Sequence, residues 1–250
     1  MKGAEPYPLW VKPDRALTLK DVFALMRDHY EGTAYDMTRG IAAGPFGTPT
    51  RCRPLSWKVG GKEGFWERPI STIRTGFSFV AECRSWLPDP VGGVFWYGVD
   101  NTDVTCYVPL YTCIRELPPS FTRGSLRKFS WDSAWWVFNF VGQLANVKYS
   151  YMIRDIRKVQ QELEGHLMRL QPAVERTAER LFKADPDLMA RFLTDHAVGN
   201  AERVVKRWRE LGEFLLTKYN DGFVQDEKGR PQAVGYPEAW LRRVHKERGR

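Results

Sequence analysis

Histidine and cysteine are scarce in this sequence, four of each in 250 residues, and that scarcity limits the chemistry open to it. Cys52, Cys83, Cys106 and Cys113 have no metal-ligand spacing. The interval between Cys106 and Cys113 is too wide for a C-x-x-C site and has no histidine pair beside it. His166 and His196 lie in helix-like segments and His245 in a basic tail, none with a partner at metal-binding spacing. The reading is therefore no metal and no cofactor. No phosphate-cradling glycine loop is present, because Gly44-Pro45-Phe46-Gly47 neither follows a strand nor leads into Lys-Ser/Thr. Long apolar runs are missing too. The richest, residues 134–144, holds Asn139, Gly142 and Gln143, well short of the ~18 residues a membrane span needs. Residues 1–6 show no apolar signal region, so a cytoplasmic address is the expectation. No internal repeat is evident.

What is present is aromatic and basic. Hydrophobic residues make up 43% of the chain and aromatics 14%, enough for a real core and too much for a disordered chain. The net charge of +8 invites a nucleic-acid reading. Its placement argues against one, since Arg203, Lys206, Arg207 and Arg209 are interleaved with Glu202, Glu210 and Glu213. Only the tail, from Arg242-Arg243 to Arg250, is a concentrated basic run, read as a frayed end. Two of the four cysteines lie in strand-like apolar segments, where a buried inert thiol is expected.

Thr18-Leu19-Lys20-Asp21 is a capping box opening a helix. Leu19, Val22, Phe23, Met26 and Tyr30 then share one face, and Gly32 closes the element. Residues 33–66, rich in Gly and Pro, read as one long irregular loop, a feature that is usually functional at such length. Runs at 75–83, 93–99 and 104–114 are β-branched and aromatic. Pro88-Asp89-Pro90, Gly92-Gly93 and Asp100-Asn101 punctuate them, which predicts an antiparallel meander. After Pro118-Pro119 the pattern is helical. Residues 130–148 form a buried aromatic helix. Leu163, Leu167, Leu170, Val174 and Leu181 form a stripe that Pro172 is expected to kink. Asp185-Pro186 opens a short helix, and the stripe from Ala201 to Leu215 ends near Asn220-Asp221-Gly222. The division is 1–120 (helix, loop and strands), 121–225 (helical extension) and 226–250 (basic tail).

Two constellations bear on chemistry. Cys52 in the loop and His29 at the end of the first helix can be paired as a thiolate dyad, but no oxyanion donor or orienting third residue is recognisable. Arg51, Arg53 and Arg68 surround the loop, with Asp36 near its start. Such arginines either clamp a substrate carboxylate through bidentate hydrogen bonds or tie the loop down through backbone carbonyls.

Several stretches resemble one family. They are MRDHYEGTAYDMTRGIAAGPFG (26–47), RPISTIRTGFSFVAECRSWLPDPVGGVFWYGVD (68–100), TCYVPLY (105–111), FSWDSAWWVFNFV (129–141), KYSYMIRDI (148–156) and LTKYNDGFV (216–224). In this order, over nearly the whole chain, they are similar to the secernin-related cysteine dipeptidases of the N-terminal-nucleophile hydrolase class. The resemblance implies an α+β fold, part of an αββα sandwich built on antiparallel sheets, with a C-terminal helical extension. It also implies hydrolysis of dipeptides by a cysteine at the mature N-terminus. That cysteine belongs to a half this chain lacks, so no catalytic residue is assigned here and the chain is read as a C-terminal half. Asp36, Arg51, Arg53 and Arg68 remain as substrate-binding candidates. The partners implied are a dipeptide and either a complementary N-terminal half or a second copy, with no nucleic acid and no membrane. The alternative is a non-catalytic relic or interaction module.

Overall fold

Thr18 starts the first helix as its sequence predicts. In the computed structural model, which describes residues 8–249, the Asp21 amide donates to the Thr18 hydroxyl and the Asp21 carboxylate accepts from the Thr18 amide at 2.8 Å. This helix, α1 (Leu19–Met26), stops well before Gly32. The Asp28 carboxylate accepts from the Tyr30 amide at 3.0 Å and Tyr30 takes a φ of 64°, a local turn that competes with another helical turn. On the α1 face only Phe23 is fully buried. It lies against the rings of Trp96 and Tyr107, with centroids 5.7 and 4.3 Å away.

The stretch 33–66 is not wholly irregular. It carries a hairpin, β1 (Ser56–Val59) and β2 (Lys62–Phe65), turning at Gly60 and Gly61 with φ of 57° and 78°. Both central residues in the left-handed region define the tight turn that matches strand twist, and glycine adopts it without strain. The Val-Gly-Gly-Lys signal was masked by the general abundance of Gly and Pro around it.

The meander forms as expected. β3 (Phe77–Cys83), the single turn α2 (Asp89–Gly92), β4 (Gly93–Val99) and β5 (Val108–Tyr111) give an antiparallel sheet of order β3-β4-β5. The third strand is much shorter than 104–114. Residues 104–107 are buried, but their backbone is bonded by side chains: the Thr105 carbonyl accepts from Arg27 and Gln160, and the Tyr107 amide donates to Glu164. On one face of the sheet Ser78, Val80 and Glu82 stand opposite Gly98, Trp96 and Val94. The other face carries Phe77, Phe79 and Phe95, all exposed.

Three helices follow: α3 (Ala134–Ala145), α4 (Tyr149–Ala184) and α5 (Pro186–Lys218). α4 continues through Pro172 instead of breaking there. The proline is exposed and α5 packs along the helix, so tertiary contact overrides the missing hydrogen bond. Asp185 caps α5, accepting from the Asp187 and Leu188 amides at 2.9 and 3.0 Å. The short helix and the later stripe of the sequence reading are one helix, because buried Ala190, Leu193, Thr194, Ala197 and Asn200 carry the stripe across the gap. Phe138 of α3 stacks on Trp208 of α5 with centroids 5.0 Å apart. One buried apolar cluster joins Phe23, the sheet and α3–α5.

The basic segment expected to be frayed is helical over Glu238–Arg248. β6 (Val224–Gln225) and β7 (Pro231–Gln232) form a small hairpin, and α6 (Glu238–Arg248) follows, with Arg242 bonded to Glu238 one turn earlier. Among the described residues there are thus six helices and three small antiparallel sheets, a mixed α and β fold. No helix of the described residues is long and apolar enough to cross a membrane.

Candidate functional site

The connection from β4 to β5, residues 100–107, is held by a network of side-chain hydrogen bonds, and its Asn101 borders a small cleft walled mainly by the loop segments 49–55 and 67–73. Asp100 enters the connection with a φ of 65° while its amide donates to the Gly76 carbonyl. Asn101 Oδ1 accepts from the Ser71 hydroxyl at 2.8 Å, and Ser71 Oγ accepts from the Thr102 hydroxyl and the Asp103 amide. The fully buried Asp103 carboxylate takes the Tyr149 hydroxyl at 2.7 Å and the Arg157 guanidinium at 3.1 Å. Gln160 donates to the Asp103 and Thr105 carbonyls. Burial, and then the Asp103 charge, hold the Tyr149 phenol far above its ordinary range, so it stays a donor.

Asp100 is the exception in this network. Its Oδ1 accepts from Asn139 Nδ2 at 2.9 Å, but its buried Oδ2 has no partner. Burial pushes the carboxyl up to about 6, against the opposing pull of Asn139 and the Asn101 amide. Gly142 of α3 passes directly over it, where a Cβ would come within 3.1 Å of Oδ2.

The cleft beside this loop, with a volume of about 30 Å³, has the size of one water molecule. His29, Arg51, Arg68, Ser71 and Asn101 are among its walls. His29 is 2% exposed and its Nδ1 lies 3.2 Å from Glu31 Oε1, while its backbone amide donates to Glu31 Oε2. Burial raises the Glu31 carboxyl, but those bonds and the imidazole outweigh it and leave it below its ordinary value. In a separate, larger cavity lined by α1 and α4, Arg27 forks onto Glu164 at 2.5 and 3.1 Å. Burial raises the Glu164 carboxyl against the pull of Arg27.

The structure separates the four substrate-binding candidates. The Asp36 carboxylate is turned into its own loop, accepting from the Thr38 hydroxyl and amide and from the Gly32 amide, and pairing with Arg39. Burial alone would raise it, yet Thr38 leads the bonds that bring it below its ordinary value. Arg51 donates to the Met37, Thr48 and Thr50 carbonyls and lies over the Trp66 ring, which is the loop-tying role. Arg53 and Arg68 are exposed, and only Arg68 reaches the cleft with Arg51.

The thiols do not assemble with a base. Cys52 is exposed, makes no hydrogen bond to His29 and is not part of the cleft wall. Cys106 is fully buried, and burial pushes its thiol well up, as it does to a lesser degree at Cys113. Sequence reasoning missed Ser71, Asp100, Asn101, Asp103, Asn139, Tyr149 and Gln160. Their signal was there: four polar residues in a row, Asp100 to Asp103, between two apolar strands. It had been read only as a turn, because the partners lie 30 to 57 residues away.

The model of peptidase family C69 matches residues 2–162, a segment that takes in α1, the cleft, the meander and the loop. The chain belongs to peptidase family C69. It is similar to the "Probable dipeptidase A" of Streptococcus pyogenes serotype M3 (strain SSI-1), 26% identical over 159 residues, which are 63% of this chain and 30% of that protein. It is also similar to the "Probable dipeptidase B" of Lactococcus lactis subsp. lactis (strain IL1403), 24% identical over 205 residues, 74% of this chain and 39% of that protein. The chain thus spans well under half the length of these relatives.

Proposed function

We propose that this chain is the nucleophile-free part of a cysteine-type dipeptidase, an N-terminal-nucleophile hydrolase whose assembled form is an αββα sandwich. The observation that carries the reading is the family match over 2–162, together with relatives named as dipeptidases. In such an enzyme the free α-amino group of the first residue, with a pKa of ~8, is the base for that residue's own thiol. None of the four thiols here stands beside a base, so the nucleophile is assigned to family sequence that these 250 residues do not cover. The bonded loop then serves as a rigid wall of the pocket. In this reading Arg68 receives the carboxylate of a dipeptide, and Arg51 and Asp36 hold the loop beside it.

The test is hydrolysis of a dipeptide panel by this chain co-expressed with the residues of the Lactococcus lactis protein that lie outside the match. Amino-acid release by the pair, abolished by alkylating a thiol of the added part, is the expected result. Hydrolysis that instead requires Cys52 of this chain contradicts the assignment. A second reading, a non-catalytic interaction module, is favoured by the lack of an assembled dyad. It predicts no hydrolysis from the pair under any condition.

A further inference from the structure

Between α1 and α4 lies a cavity of about 660 Å³, the size of a small-ligand pocket and far larger than a water site. Phe23 and Ala24 of α1 wall it, with Arg27, Asp28 and Glu31 from the end of that helix. Arg157, Gln160, Glu164, Gly165 and Met168 face it at helical spacing along α4.

Its charged groups are of two kinds. Arg27 and Glu164 are fully engaged. The guanidinium donates to both Glu164 oxygens and to the Thr102 and Thr105 carbonyls, and Glu164 also takes the Tyr107 amide. Three other groups keep unused bonding capacity. Gln160 is 2% exposed and its Nε2 donates to the Asp103 and Thr105 carbonyls, but no described residue donates to its Oε1. Arg157 reaches Asp103 through Nη2, and its Nε and Nη1 have no partner among the described residues. The Glu31 carboxylate, 39% exposed, bonds among them only to the amide and ring of His29. No ion pair joins Glu31 to Arg157, yet Glu31 lies near enough for its charge to act on that guanidinium.

Gly165 keeps the space beside these groups open. It stands inside a 36-residue helix, where glycine is unfavourable against alanine. Its φ is not positive, and a Cβ there would meet only the tip of Arg169, at 3.2 Å. Neither a turn nor close packing therefore requires it. Phe23, Ala24 and Met168 make the remainder of the lining apolar. From Gln160 to Met168 the wall runs about 12 Å along α4, at the helical rise per residue.

We propose that this cavity binds a free α-amino acid with a large apolar side chain. The carboxylate takes the unused Arg157 donors, the ammonium takes Gln160 Oε1 and the Glu31 carboxylate, and the side chain runs past Gly165 toward Phe23 and Met168. A polyanion would be set against Glu31 and Asp28, and a simple cation against Arg157. An apolar molecule would desolvate both charges and match neither. A dipeptide holds its ammonium and carboxylate one residue further apart, whereas the receiving groups cluster around Arg157 and Gln160. The site goes beyond the dipeptidase reading and does not depend on it, since the cavity is separate from the cleft that Arg68 borders.

Isothermal titration calorimetry of the whole chain with L-leucine, N-acetyl-leucine, leucinamide and leucyl-leucine tests the proposal. Leucine should saturate one site. Each blocked form should bind about tenfold more weakly or worse, because one charged group of the wall loses its match. Glu31→Gln keeps an acceptor for the His29 amide; it should weaken leucine by about tenfold and leave N-acetyl-leucine unchanged. Gly165→Leu fills the cavity with a better helix former. It should abolish leucine binding, with circular dichroism like the parent's and a melting temperature no lower. Four results overturn the proposal: no saturable binding of leucine, equal binding of the blocked forms, undiminished binding in folded Gly165→Leu, or tighter binding of leucyl-leucine at the same site. Hydrolysis by the co-expressed pair is scored separately. Leucine binding without hydrolysis keeps this site and removes the enzymatic reading, and hydrolysis without leucine binding does the reverse.

Discussion

Asp100 shows how a single carboxyl can set the pH response of this protein. Its folded pKa of about 6 lies above the ordinary 3.8. Between these values the unfolded chain gives up a proton that the folded chain keeps, so this group's contribution is full below about pH 4. It is lost as pH rises through 6, a swing of about 3 kcal/mol. Asp100→Asn keeps an oxygen for Asn139 and removes the titration. Denaturant unfolding should therefore show the variant equal to the parent near pH 4 and more stable at pH 7. An unchanged difference across that range would contradict the account. Glu164, whose carboxyl burial also raises, matters as the acceptor for Arg27 and for the Tyr107 amide. With side chains 15% and 6% exposed, the pair is buried, and Glu164→Ala should destabilise by about 3–5 kcal/mol because a charge and an amide lose their partner. The same denaturation measurement checks it.

At the scale of elements, what could be read from the sequence was local and periodic. The Thr18–Asp21 box, the Asp185 cap and the three strands of the meander were legible, since each rests on residues a few positions apart. What was not legible depended on distant partners. The third strand shortened because Arg27, Gln160 and Glu164 take over the bonds of residues 105–107. α4 passed through Pro172 because its packing with α5 is decided more than twenty residues further on. The proline still leaves the Met168 carbonyl without its helical donor, which gives a prediction at this scale: Pro172→Ala should raise stability by about 1–2 kcal/mol, read as an increase in melting temperature. A decrease would mean that the ring itself packs against something essential. The candidate site was legible only in part. Asp36 and Arg51, read as substrate-binding candidates, bond mainly to their own loop, while the Ser71–Asn101–Asp103 cluster was hidden in what looks like a turn.

The whole molecule combines a well-bonded interior with an unfinished exterior. One cluster of apolar side chains runs from Phe23 to Tyr219, yet the aromatic face of β3 and β4 stands open. A surface of that kind favours association, and the net charge of +8 opposes it only weakly once salt screens the repulsion. The concentration at which the isolated chain begins to associate, followed by light scattering, should therefore fall as sodium chloride is raised. The central proposal is that family membership and catalytic competence are divided here: these 250 residues match the C69 family over 2–162, and the reading assigns the nucleophile to family sequence outside them. Amino-acid release from a dipeptide panel by the purified chain alone, run beside Cys52→Ala, tests it most directly. The account predicts no release above background from either protein. Release by the parent chain that disappears in Cys52→Ala would contradict it and place the nucleophile in the loop beside the cleft.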